Sequence, residues 1–410
     1  MNSEIRNKRM ADATLKVLRA DKTPLANQEV KIEQTRHQFL FGTAAFDLVP
    51  LANGQYSGEE KEQAERRAEK LTNLFNTATL PFYWGRFEPQ RGKPMTGQLK
   101  NAAKWCIERG MSVKGHPLCW HTLTAEWLLS MSNPEILVAQ TERIKRDVSD
   151  FRGLIDMWDV INEAVIMPIF DKYDNGITRL CKAVGRIKLV GAMFDAARAE
   201  NPSAILLIND FDVSSAYDIL VEGCLEAGIK IDAIGIQSHM HQGYWGVEKT
   251  LKVLDQFTRF NLPIHFTETT LVSGQLMPPE IVDLNDYQVN DWPTTTEGET
   301  RQVEEAILHY QTLFGHPLVE GITWWDLSDG GWLNAPAGLI RRDGSSKPAY
   351  DELKKLVKGE WWITPIKLVT DKNGEIQFAG FLGDYELIYG RTKRSFTIAK
   401  ENRTTITIKV

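Results

Sequence analysis

Cysteine is scarce in this chain and widely spread. Cys106, Cys119, Cys181 and Cys224 form no CxxC pair. That spacing excludes a disulfide-stapled scaffold and a thiolate zinc site, and reads as buried free thiols. No apolar run reaches the ~20 residues that a membrane-spanning helix needs. Excess positive charge is also absent, since the net charge is −6 at pH 7 and the pI is near 5.9. Nucleic acid and anionic membrane surfaces are therefore excluded as main partners. Met1–Met10 is polar and has no secretory h-region. Removal of a signal peptide would leave the same start, and the chain would then be secreted or periplasmic. Compartment and oligomeric state stay open. A glycine-rich phosphate turn is missing too. Gly42-Thr43-Ala44-Ala45 stands where an open doubly wound sheet would carry one.

What is present is apolar patterning and tryptophan. With 410 residues, 42% of them hydrophobic, the chain can build one large core plus an accessory unit. Its 12 tryptophans supply flat indole faces, which suit the apolar faces of sugar rings. Ala13–Arg36 alternates apolar and polar residues around a turn at Asp21–Pro24, the pattern of a β-hairpin. From Phe39 onward, short apolar runs alternate with amphipathic stretches. The runs are Phe39–Ala44, Asn76–Leu80, Ser112–Trp120, Met157–Glu163, Ala204–Asp210, Ala233–Met240, Ile264–Thr269 and Gly321–Leu327. Helices are expected between them, one of them running unbroken from Thr178 to Glu200. This order predicts an α/β fold, a closed (β/α)₈ TIM barrel over 37–359. After Gly359 the helical period disappears and short strands follow, the last over Thr404–Val410. About fifty residues are marginal alone. The expectation is that 1–36 and 360–410 combine into one small β-sandwich beside the barrel.

Two strand ends carry chemistry. Met157-Trp158-Asp159-Val160-Ile161-Asn162-Glu163 delivers an amide and a carboxylate side by side, and Pro263-Ile264-His265-Phe266-Thr267-Glu268-Thr269 delivers a second carboxylate. An isolated Asn-Glu is as easily the acidic first turn of a helix. Paired at the C-terminal ends of barrel strands, the two acids would instead face one pocket. Cleaving a glycosidic bond needs such a pair, one protonated to assist the leaving oxygen and one ionised at the anomeric carbon. A purely structural role would bury two costly carboxyls.

These stretches resemble glycoside hydrolase family 10, the family of retaining endo-β-1,4-xylanases. Trp158–Glu163 is similar to its acid/base motif and Thr267-Glu268 to its nucleophile motif. Gly115-His116-Pro117-Leu118-Cys119-Trp120-His121 resembles its strand-three motif, and Gly235-Ile236-Gln237-Ser238-His239 its strand-six motif. Gly321–Trp325 with Asp329 and Trp332 resembles the strand-eight signature, and Lys347-Pro348-Ala349-Tyr350 the closing helix. The resemblance implies Glu163 as acid/base and Glu268 as nucleophile. It implies that Asn162 bonds the 2-hydroxyl of the cleaved sugar, and that His239, with Gln237 beside it, orients the nucleophile. His116 and Trp120 would bind that same sugar, and Trp325 and Trp332 would stack on the glycone. His121 joins the binding set through its motif. His37 and His265 read as core residues, and His241 as a loop residue without an assigned role. Trp105, Trp127, Trp158 and the Trp361-Trp362 pair read as packing. The implied reaction needs no metal and no cofactor, and its partner is a polysaccharide or oligosaccharide.

The strand-two region departs from the family. Where the resemblance implies Thr-Pro-Glu-Asn and then a Lys-Trp pair, the chain reads Thr79-Leu80-Pro81-Phe82-Tyr83-Trp84, then Gly85-Arg86-Phe87-Glu88-Pro89. The polar clamp for the second glycone sugar is thus absent. Tyr83, Arg86 and Glu88 are the candidate replacements. Leu123 stands where a glutamine is usual. A site without partners for a hydroxyl loses selectivity for it. The long segment Leu271–Thr296 is expected to form a rim or partial lid, and Gln242-Gly243-Tyr244-Trp245 to line the leaving-group side. Three readings follow: a xylan-cleaving retaining hydrolase, the same barrel acting on another β-linked or short, decorated glycan, and a glycan-binding protein that turns over weakly.

Overall fold

In the computed structural model, which describes residues 3–400 and 405–410, eight parallel strands close into a barrel in chain order. They are Leu40–Ala44, Thr77–Pro81, Ser112–His116, Met157–Asn162, Ile205–Asp210, Ala233–Met240, Ile264–Leu271 and Val319–Trp324. The eighth pairs with the first, so no edge is left open. The fourth and seventh strands are buried at every position. Strands covered on both faces need not alternate apolar with polar residues; the seventh even buries His265, Thr267, Glu268, Thr269 and Thr270. Two glycines are required by close approach. A Cβ at Gly115 would stand 2.1 Å from the Trp158 ring, and one at Gly235 would stand 2.4 Å from Asn209 Oδ1.

Several boundaries differ from the sequence expectation. The third strand stops at His116 instead of Trp120, because Pro117 has no amide hydrogen to continue a ladder. The helix expected from Thr178 to Glu200 is two, Gly176–Val184 and Arg186–Glu200, broken at Gly185 with φ 86°. The helix Asn133–Phe151 is capped by Ser132 through a capping box with Glu135. Helix Ser3–Arg9 has no counterpart in the sequence reading. Its Arg9 donates to the carbonyls of Phe314, His316 and Val319 at the base of the barrel.

The accessory unit is a two-sheet sandwich. One sheet sets Met10–Leu18 between Glu375–Phe381 and Ile406–Lys409. The other orders Ile366–Val369, Glu29–His37, Gly383–Tyr389 and Thr392–Ile398. The expected N-terminal hairpin is therefore corrected: its two strands lie in opposite sheets, each paired to C-terminal strands. Their inward faces (Leu15, Val17, Val30, Ile32) share one core with Tyr385, Leu387 and Phe396. Thr404, the expected start of the last strand, lies outside the described residues, as do Met1 and Asn2. Trp361 stacks on Phe314 at 4.1 Å, and Trp362 meets the buried His37 edge-on at 5.2 Å. The pair thus sits where barrel and sandwich meet.

Candidate active site

Strand four ends by turning sharply. Glu163 has φ 56°, a left-handed conformation that a non-glycine residue adopts only under constraint. Its N–H donates to Asn209 O at 2.8 Å, across to strand five. Its side chain accepts from Trp120 Nε1 at 2.8 Å, Asn162 Nδ2 at 3.2 Å and Gln237 Nε2 at 3.3 Å. Glu268, 4% exposed, accepts from Asn209 Nδ2 at 2.9 Å and contacts His239 Nε2 at 3.1 Å. Asn209 Nδ2 also donates to Asn162 Oδ1 at 2.7 Å, as Gln237 Nε2 does at 3.0 Å. One network of buried amides therefore joins the two carboxyls.

The electrostatics separate them. Burial raises the Glu163 carboxyl; the Trp120 and Gln237 donors lower it, Asp210 and Glu268 raise it, and it comes to about 8. Burial would raise Glu268 too, but His116 and His239 outweigh it and hold this carboxyl below its ordinary value. His116 is itself anchored: its Nδ1 lies 2.8 Å from Asp159 Oδ2, and its Nε2 lies 3.9 Å from Glu268 Oε1. Lys114 Nζ approaches the same Asp159 oxygen at 2.8 Å. Asp159 is pushed up by burial and pulled further down by Lys114 and His116, so it is ionised. One acid kept protonated and one kept ionised is the division of labour that acid-assisted nucleophilic displacement needs.

Aromatic side chains wall the site. Trp325, 6% exposed, meets His116 edge-on at 5.2 Å and Phe46 at 5.5 Å. Tyr83 packs against Trp120 at 5.6 Å, His116 at 5.7 Å and Phe46 at 5.8 Å. Trp332 lies 4.6 Å from the His239 ring, and its Nε1 donates to Asn285 Oδ1 at 3.2 Å. The strand-seven loop carrying Asn285 is tied to two other rims. Lys172 Nζ, on the strand-four loop, lies 2.7 Å from Asp283 and 2.6 Å from Asp286. Gln242 Nε2, on the strand-six loop, donates to the carbonyls of Pro278 and Ile281 at 2.9 and 2.8 Å.

Glu163, Glu268, Asn162, Gln237, His239, His116, Trp120, Trp325, Trp332 and Tyr83 thus come together. Arg86 lies exposed over the outer edge of Tyr83, 5.9 Å from its ring centre. Glu88 does not join them and is withdrawn as a binding residue. Its oxygens are taken by Arg146, Trp84 Nε1 and the Gly92 N–H, because a buried acid beside an arginine pairs with it. His121 is packed away under Phe170 at 4.5 Å, and burial lowers it to about 4. Tyr244 turns onto His309, edge-on at 5.7 Å, away from the leaving-group side. His241 is buried between Trp332 and Trp292, and its Nδ1 lies 3.4 Å from Thr270 Oγ1. Lys347 of the closing helix reaches Asp329 of the strand-eight signature at 2.5 Å.

The sequence reading missed Asn209, Asp210, Asp159 with Lys114, and Asp326. A signal was available for the first two, since strand five ends in Asn-Asp as strand four ends in Asn-Glu. Asp326 follows Trp325 and accepts from the Trp332 N–H at 3.0 Å. Burial, partly offset by that bond and reinforced by Asp47, Asp329 and Glu268, pushes it to about 7.

Comparison with known proteins places the chain in a family. The model of glycosyl hydrolase family 10 matches residues 42–356. Anti-sigma-I factor RsgI6 of Acetivibrio thermocellus is 24% identical over 97% of this chain and 47% of its own length. Endo-1,4-beta-xylanase B of Thermotoga neapolitana is 29% identical over 50% of this chain and 61% of its own length. The chain spans about half the length of the curated relatives it matches. Xylanase 10B from Thermotoga petrophila RKU-1, solved in complex with xylobiose, superposes with a TM-score of 0.64 at 23% identity, over 79% of this chain and 95% of that one. At that identity the likeness is one of fold. With the family match spanning residues 42–356, most of the barrel, the chain belongs to glycosyl hydrolase family 10.

Proposed function

We propose that the chain cleaves β-1,4-linked xylan or a related plant cell-wall glycan by double displacement, with retained configuration. In the first step a Glu268 oxygen attacks the anomeric carbon while Glu163 gives its proton to the departing glycosidic oxygen. The carbon–oxygen bond breaks and the leaving alcohol departs. In the second step the Glu163 carboxylate takes a proton from water, whose oxygen attacks the same carbon and frees Glu268. Asn162, held by Asn209 and Gln237, is oriented for the sugar's 2-hydroxyl, a contact that strengthens in the transition state. The carrying observation is the opposed pair: Glu163 near 8 and Glu268 below its ordinary value, joined by one amide network.

Proton NMR of the first-formed anomer, with product lengths from xylan and a defined oligosaccharide panel, tests this. A β-anomer formed first and a ladder of xylo-oligosaccharides are expected. An α-anomer formed first would end the retaining assignment, and inertness toward every xylan would end the substrate assignment. The packing of Tyr83 and Phe46 against Trp325 and Trp120 favours a second reading, a short or decorated β-linked substrate. Faster hydrolysis of oligosaccharides than of polymer would select it.

A further inference from the structure

The turn after Glu163 is gripped from both sides. Asp210 ends strand five and is fully buried. Its Oδ2 accepts the Val165 N–H at 3.0 Å, and its Oδ1 accepts the Asp212 N–H at 3.0 Å. From the other side Arg186, at the start of its helix, donates to the carbonyls of Ala164 at 3.2 Å and Val165 at 2.7 Å. The turn closes on itself where Met167 N–H meets Glu163 O at 3.2 Å.

This grip explains the backbone of Glu163. A left-handed glutamate persists only where its surroundings over-determine it. The strand-five neighbour Asn209 fixes the N–H before the bend, and Asp210 fixes the second N–H after it. Asp210 has no lysine or arginine partner among the described residues, and a buried carboxylate without a counter-charge is expensive. Two backbone N–H bonds alone do not demand an acid there. Burial pushes the Asp210 carboxyl itself up to about 7, against its backbone N–H bonds, and in its ionised form it helps the nearby Glu163 to retain its proton.

We infer that Asp210 is a positioning residue for the acid/base carboxyl: it latches the turn after Glu163 and so aims that side chain at the leaving-group oxygen. The inference rests on Glu163 being the acid/base. The group it acts through is distinct from the nucleophile, so its loss has a particular signature. A displaced acid matters greatly for a poor leaving group and little for a good one. A displaced base slows the second step, and a small anionic nucleophile can replace the water that the base no longer activates.

The test uses the full chain with Asp210→Ala, Asp210→Asn and, as a benchmark, Glu163→Ala. Each is assayed on an unactivated xylo-oligosaccharide and on a dinitrophenyl β-xyloside, with and without sodium azide. Asp210→Ala should lose about 10²-fold or more in kcat/KM on the first substrate and less than about tenfold in kcat/KM on the second, where kcat and KM should fall together as the glycosyl-enzyme accumulates. Azide should restore turnover of the aryl substrate and yield a β-glycosyl azide, as for Glu163→Ala. Asp210→Asn, which keeps one acceptor oxygen, should recover part of the loss. Equal losses on both substrates without an azide product, or wild-type rates, would overturn the inference. If Asp210→Ala does not fold, Asp210→Asn decides by the same two outcomes. Should Glu163→Ala itself give no azide product, the acid/base assignment fails rather than the latch.

Discussion

Replacing Glu163 by glutamine should make the protein more stable while making it a poor enzyme. In the folded chain this carboxyl lies near 8, raised by burial and by Asp210 and Glu268 against the pull of Trp120 and Gln237. In the unfolded chain it returns to about 4.5. Between those values the folded protein holds a proton that the unfolded chain has released. Stability therefore falls as pH rises from about 4.5 toward 8, and this contribution is constant outside the window. At pH 7 the penalty is about 3 kcal/mol, at ~1.36 kcal/mol per pH unit above the unfolded value. Glu163 keeps an edge at the surface, so that figure is a ceiling. Glutamine preserves the shape, still accepts from Trp120, and cannot ionise. Urea titrations of wild type and Glu163→Gln at pH 4.5, 6, 7 and 8 measure the difference. The two should agree near pH 4.5, and the variant should lead by about 1–3 kcal/mol at pH 7. A pH-independent offset, or a variant less stable at pH 7, would refute the reasoning. The same variant should lose about 10²–10⁴-fold on unactivated glycans.

The pH profile of kcat/KM should be bell-shaped, with an alkaline limb near 8 from Glu163 and an acid limb below 4.5 from Glu268. His239→Ala removes one of the groups that hold Glu268 down, so its acid limb should move to higher pH; an unmoved limb would count against that role. Lys172→Ala should cost at most about 1 kcal/mol of stability, since the pair it makes with Asp283 and Asp286 is exposed. It frees the strand-seven loop, so the ratio of activity on polymer to activity on a trisaccharide should rise, and an unchanged ratio would show that this tie does not gate access. Gly115→Ala drives a methyl into the Trp158 ring and should destabilise the fold by about 1–3 kcal/mol in a denaturant titration.

What was legible in the sequence is what depends on local pattern. The eight barrel strands could be read because each is a short segment delimited by amphipathic helices, and Glu163 and Glu268 because each follows an apolar stretch toward the C-terminal end of its strand. What was not legible depends on choices the pattern leaves degenerate. Met10–Leu18 and Glu29–His37 alternate in the manner of a hairpin, yet alternation specifies only that one face is buried, not which strand lies alongside. The C-terminal strands offered better partners, and the two N-terminal strands separated into opposite sheets. Glu88 misled for a related reason. An acid in a loop near the site points wherever a cation waits, and Arg146, far along the chain on another helix, was the nearer claim. Asp210 was passed over because its chemistry is indirect: it touches backbone, and only the fold shows that the Val165 N–H it holds lies in the turn after Glu163. Residues that act on the sugar can be recognised by type and strand position, whereas residues that aim them are recognised only once the hydrogen bonds are traced. The ties that Lys172, Gln242 and Trp332 make between rim loops are of the second kind, since only the fold brings their partners alongside.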